Sequence, residues 1–145
     1  MSHKVTLEQQ EDFHFAIRFG DAIPVLHADE APPLGKGAGP TPDQLLAAAV
    51  GNCMSASLLF ALRKFKQAPE PIRTEVEATT GRNEANRLRI QRIAVRIKLG
   101  VPAAALQHLD RALAQFEAFC TVGESVRQGI PVDVEVYDGT GARLK

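Results

Sequence analysis

The sequence predicts an α+β domain, and three observations carry that prediction. Leu45 to Leu62 runs without a single charge, long enough for one central helix. Several shorter segments alternate apolar with polar residues, the period of a half-buried strand. Glycine and proline (11 and 9 residues) stand mostly at the turns between these segments rather than in low-complexity tracts, which argues against disorder. At 145 residues, with 45% hydrophobic and 23% charged content, the chain reads as a single domain over 1–145. A chain of that size buries a core without a disulfide or metal scaffold.

Taken in order, Phe13, Phe15, Ile17 and Phe19 alternate as a strand, and Gly20-Asp21 marks a turn. Ala22 to His27 then returns as the second strand of a hairpin. Asp29 to Pro42 (DEAPPLGKGAGPTP) is a Pro- and Gly-rich connector. Its glycines fit neither GxxxxGK[ST] nor GxGxxG, so no phosphate loop is expected. Thr41-Pro42-Asp43-Gln44 starts a helix: Thr41 caps, Pro42 suits the first helical position, and Gln44 completes a capping box. Asp43 adds negative charge at the positive end of the helix dipole. The helix runs to about Lys66 and, apolar on most faces, is expected to be the central buried element.

Pro71 to Gly81 and Arg87 to Leu99 alternate as two further strands. In the second, Leu88 and Ile90 keep one phase while Ile93, Val95, Ile97 and Leu99 keep the other, which predicts a bulge near Gln91-Arg92. Leu106, Leu109, Leu113, Phe116 and Phe119 recur at helical spacing after Pro102. Cys120 to Arg127 forms a short third helix stopped by Gly129, and Ile130 to Tyr137 closes the fold as a last strand. Segregated helices and strands without a repeat or linker give the α+β class.

Composition narrows the function. Lys+Arg and Asp+Glu are 17 each, so the chain lacks the basic surplus of a dedicated nucleic-acid binder. Arg82, Arg87, Arg89, Arg92, Arg96 and Lys98 read as the solvated face of a sheet rather than an RNA-binding face, which would show strongly salt-dependent binding. The first residues are polar and carry no apolar signal region. The uncharged run is interrupted by Asn52, Ser55 and Ser57 and followed by Arg63, Lys64 and Lys66, so a core helix is expected, not a membrane span. Two cysteines without a secretory signal suggest a cytoplasmic protein with reduced thiols.

Those thiols decide the function. Cys53 lies midway along the long helix, where it is either a small buried hydrophobe or a nucleophile that needs an outside cation to become a thiolate. Its small neighbours Gly51 and Ser55 would leave room for a substrate or another chain. Cys120 sits at the start of the third helix, where unpaired N–H groups favour a thiolate and Glu117 and Glu124 oppose one. It stands between packing and redox chemistry. The four histidines (His3, His14, His27 and His108) show no ligand spacing with either cysteine, so no metal site is expected. A Cys-His nucleophile pair stays open, without a local motif behind it.

GPTPDQLLAAAVGNC followed by FCTVGESVRQGIPVDVEV resembles the OsmC/Ohr family of thiol peroxidases, over roughly Asp29 to Tyr137. In that family a G-x-x-P-E-x-L helix carries the first cysteine, and a second opens a C-x-V-x-x-S helix before the last strand. The resemblance implies an OsmC-like fold, with antiparallel sheets around a long central helix in an intertwined homodimer. It also implies an organic hydroperoxide reductase needing no metal, flavin or other cofactor. Cys53 matches the peroxidatic cysteine that becomes a sulfenic acid, and Cys120 the resolving cysteine that condenses with it to a disulfide. A dithiol such as a lipoylated protein is the implied reductant; neither nucleic acid nor membrane is an implied partner.

Two departures mark a divergent member. The family's catalytic glutamate, ten positions before the first cysteine, falls on Asp43, one methylene shorter. The family's activating arginine lies in the N-terminal strand region, where Arg18 is the candidate. Ten residues of continuous helix separate Asp43 from Cys53 by about 15 Å, so Asp43 would assist a thiol of a second subunit. Met54, Leu58, Phe60, Phe116 and Phe119 form a candidate apolar funnel. The rival function is a non-catalytic ligand-binding or redox-sensing module that kept the fold and the thiols.

Overall fold

The computed structural model describes all 145 residues, Met1–Lys145. A three-stranded antiparallel sheet holds β1 (Thr6–Glu11), β2 (His14–Arg18) and β3 (Leu26–Ala28) in that order. A second antiparallel sheet pairs β4 (Arg73–Arg82) with β5 (Leu88–Lys98). Between them in sequence runs α1 (Pro42–Lys64), and after them α2 (Leu109–Gln115) and α3 (Thr121–Gln128). The α+β architecture of antiparallel sheets and one long helix is the expected one.

The start of α1 follows from its first residues. Thr41 Oγ1 accepts the Gln44 N–H at 3.3 Å, and Gln44 Oε1 accepts the Thr41 N–H at 2.9 Å, so both halves of the capping box form. The preceding connector is ordered by one carboxylate. Asp29, only 3% exposed, accepts the backbone N–H groups of Glu30, Lys36 and Ala38. These bonds hold its pKa below the usual carboxylate value: the Ala38 N–H is the largest cause, and desolvation by burial opposes it.

The β4–β5 ladder contains the expected bulge. Thr79 pairs with Arg92 and Thr80 with Ile90, leaving Gln91 as the extra residue. The inward positions of this sheet cover α1, and the charged positions Arg82, Arg87, Arg89, Arg92, Arg96 and Lys98 are all exposed. At the far end of α1, Leu58, Leu62 and Ala112 form the core, covered by Ala61, Phe65, Ile97, Leu99, Leu109 and Phe116.

One strand was not foreseen, and three expectations need correction. Thr6–Glu11 is a strand although it shows no alternation, because β2 supplies its backbone partners and every side chain stays exposed. The helix after Pro102 is broken into a 3-10 turn (Ala103–Ala105), α2 and a second 3-10 turn (Phe116–Phe119). The break falls at His108, in the left-handed region at φ 56° and stacked on Phe65. Ile130 to Tyr137 forms no strand: the segment lacks a ladder partner, apart from a bridge between Tyr137 and Arg143, and Ile130, Val132, Val134 and Val136 are exposed. Finally, α1 is not buried all round. Ala47, Val50, Gly51, Met54, Leu58 and Leu62 are buried, whereas Ala48, Ala49, Asn52, Ala56 and Phe60 face solvent. By length and composition α1 alone is apolar enough to cross a membrane.

Candidate active site

Two hydroxyls and a glycine fix the middle of α1. Gly51 is buried against the Val76 side chain, where any Cβ would collide. Ser55 Oγ donates to the Gly51 carbonyl at 2.7 Å and lies 2.5 Å from Thr74 Oγ1. On the opposite flank Ser57 Oγ donates to the Phe116 carbonyl at 2.5 Å. The serines that interrupt the apolar run thus fasten α1 to β4 on one side and to the Phe116–Phe119 turn on the other. Val76 and Thr74 pack against Gly51 and Ser55, and the expected room remains beside them as an open groove of ≈ 470 Å³ lined by Gly51, Asn52, Ser55, Ala56, Thr74 and Val76.

Between those fasteners lies Cys53, half-buried and free. Cys120 is also free, 1% exposed, and forms the N-cap of α3, where its Sγ accepts the Gly123 N–H at 3.3 Å. The two thiols are neighbours: Cys53 is among the groups that raise the Cys120 pKa. Burial pushes the Cys120 thiol pKa up; the Gly123 N–H pulls it down, and Cys53 and Glu124 push it further up. The helix N-terminus therefore does not make Cys120 an acidic thiol, because desolvation outweighs one N–H bond.

Sequence spacing missed the support around Cys120. Arg127 bonds Glu117 at 2.5 Å and also bonds Glu124, bridging the 3-10 turn before Cys120 to the helix after it. Beside the thiols, Leu46, Val50, Met54, Ile90, Ile93 and Val126 wall an apolar groove of ≈ 360 Å³ with Arg92 and Arg127 on its lining. Met54 and Gly123 connect it to Cys120: a Cβ on Gly123 would meet Met54 Cε at 2.8 Å and Cys120 Sγ at 3.0 Å.

Asp43 and Arg18 stand elsewhere. Asp43 accepts the Thr80 hydroxyl at 3.0 Å at the start of α1, and the unbroken helix keeps it about 15 Å from Cys53. Arg18 is exposed at the end of β2, beside Lys4, Thr6, Asp21 and Ile23. Neither is bonded to a sulfur within the chain. The expected funnel is also divided: Met54 lines the groove, Leu58 and Phe116 belong to the core, and Phe60 and Phe119 flank Lys64, whose ammonium lies over both rings. No three His, Cys, Asp or Glu side chains are grouped to hold a metal ion.

The thiol pair, the helix that carries Cys53 and the two antiparallel sheets define a class. The family model for OsmC-like protein matches residues 35–135, and the chain belongs to that family. No curated protein sequence matches it. Among solved structures, an OsmC-like protein of unknown function from Vibrio cholerae is similar at a TM-score of 0.71 and 15% identity, covering 86% of this chain and 93% of that one. The organic hydroperoxide resistance protein OhrB of Bacillus subtilis is similar at 0.64 and 17% identity, over 88% and 91%. An organic hydroperoxide resistance protein OsmC from Legionella pneumophila is similar at 0.62 and 16%, over 88% and 90%. At such identities the likeness is one of fold.

Proposed function

We propose that the chain is a two-cysteine reductase of organic hydroperoxides. One observation carries the reading: a half-exposed thiol on α1 adjoins a buried thiol on α3, held by separate fasteners. The Cys53 thiolate attacks the terminal peroxide oxygen, the O–O bond breaks, and the alkoxide leaves, taking a proton from solvent to become the alcohol, as Cys53 becomes a sulfenic acid. Cys120 then attacks that sulfur; its proton and the sulfenic hydroxyl leave as water, and a Cys53–Cys120 disulfide remains. A dithiol, of the lipoylated kind in related proteins, returns both thiols.

We assign the missing cation and carboxylate to a second copy, whose Arg18 and Asp43 would reach this chain's Cys53. Exposed surface supports a homodimer. The single chain exposes 11094 Å², whereas a monomer of its mass would expose about 7,300 Å². The unpaired apolar alternation at Ile130, Val132, Val134 and Val136 and the open face of α1 account for part of that excess.

The test is thiol titration with intact mass on reduced protein after one equivalent of cumene hydroperoxide. Rapid loss of both thiols with a mass lower by about two hydrogens supports the reaction; survival of both thiols for minutes overturns it. The second reading, a non-catalytic redox-sensing or ligand-binding module, is favoured by one observation: no basic side chain acts directly on Cys120, and its thiol is pushed up. Survival of both thiols toward every peroxide selects that reading.

A further inference from the structure

Cys120 is flanked by carboxylates on both sides of its own chain. Its N–H donates to the Glu117 carbonyl at 3.0 Å, and its carbonyl accepts the Glu124 N–H at 3.0 Å, so each acid sits one turn away. Both carboxylates end on a single guanidinium, that of Arg127. Elsewhere around the thiol, α1 contributes Cys53, the Lys64 ammonium rests over the Phe119 ring at 5.5 Å, and β5 places Arg92 on the groove shared with Arg127. Arg92 and Lys64 form no ion pair with either acid.

We propose that Arg127 is a positioning residue for the resolving thiol, holding Glu117 and Glu124 so that neither acts on Cys120 as an uncompensated negative charge. The proposal rests on the peroxidase reading for its kinetic consequence, but not for its electrostatic one. Condensation of Cys53 sulfenic acid with the Cys120 thiol forms one S–S bond and releases water. Its rate follows the thiolate fraction of the attacking thiol. Two freed carboxylates beside a buried thiol lower that fraction. Glu124 already raises the Cys120 pKa with the arginine in place. The first step, on Cys53 of α1, is not governed by this pair.

The test separates the two layers. In a Cys53→Ser, Tyr137→Phe background, which removes the other thiol and the chain's one phenol, the ultraviolet absorbance of the thiolate reports Cys120 alone across pH. Arg127→Gln should move that titration to higher pH; adding Glu117→Gln and Glu124→Gln should move it back, and Arg127→Lys should leave it near the parent. In the full chain, Arg127→Gln should slow disulfide formation about two- to fivefold at neutral pH, the scale of an exposed ion pair, and by more than it changes sulfenic acid formation. An unmoved titration, or one the neutral double substitution fails to restore, overturns the proposal and leaves Arg127 a structural clamp. If the titration shifts and is restored while wild-type protein ignores every peroxide, the peroxidase reading falls and Arg127's hold over Cys120 stands.

Discussion

One helix passes through two regions finished to different degrees. From Leu58 to Lys64, α1 closes one face completely while Phe60, Arg63 and Lys64 on the other stay exposed: Leu62 is 0% exposed, and Phe65, Leu99, Leu109 and Phe116 surround it with hydrocarbon. From Val50 to Ser57 the same helix is held by a buried glycine and two hydroxyls, with one flank open and a thiol in its middle. The enclosed end gains stability from burial, which is non-directional and scales with area. The open middle gains register from hydrogen bonds, which are directional and weaker in sum. A helix built this way can keep a reactive group accessible without loosening its own anchorage.

Substitutions should split along that line. Cys53→Ser should abolish peroxide reduction, a loss of several orders of magnitude, with thermal stability within about 0.5 kcal/mol of wild type. Its counterpart Cys120→Ser should permit one stoichiometric oxidation and stop recycling, read by turnover number against burst amplitude. At the enclosed end, Leu62→Ala should cost about 3 kcal/mol by denaturant melting and leave the intrinsic rate of Cys53 oxidation in the folded fraction unchanged. Ser57→Ala lies on the border. Losing its bond to the Phe116 carbonyl should cost about 1 kcal/mol and slow disulfide formation more than sulfenic acid formation, because that bond ties Cys120's turn to α1.

The smallest effect belongs to the loop that leads into α1. Asp29 has a lowered pKa, chiefly through the Ala38 N–H, so its stabilising contribution is complete above the usual carboxylate value of about 3.9. That contribution disappears as pH falls through the lowered native value. Asp29→Asn should therefore flatten the acid limb of a melting-temperature profile and lower its neutral plateau. Equal acid slopes in the two proteins would show that the loop does not depend on this charge.

Local rules were readable where the residues themselves carry them. Thr41 and Gln44 cap α1 because their side chains satisfy its first N–H groups, and the phase change around Gln91 marks a bulge because side-chain alternation admits no other frame. Strand β1 was not readable: TLEQQE buries nothing, and only its pairing with β2 makes it a strand. The break at His108 was hidden because the leucine spacing continues across a residue in the left-handed region. The strand expected at Ile130–Tyr137 has the right alternation but no partner in this chain, and pattern alone does not name a partner. For the site, each cysteine's helix was legible from its flanking residues. Their meeting was implied only by family resemblance, since no local spacing connects α1 to α3.

The bulge in β5 has a consequence for how this strand can change. Leu88 and Ile90 share the α1-facing side with Ile93, Val95 and Ile97 only because Gln91 absorbs one position against β4. Gln91 acts as a spacer in the strand's frame. Its removal would bring Arg92 between Ile90 and Ile93 in strict alternation and leave both ends of the strand in phase. A one-residue deletion, which elsewhere in a ladder turns every following side chain to the wrong face, is here the change that makes the strand regular. Length variation in this sheet therefore has one tolerated address, on the wall of the groove beside the thiols.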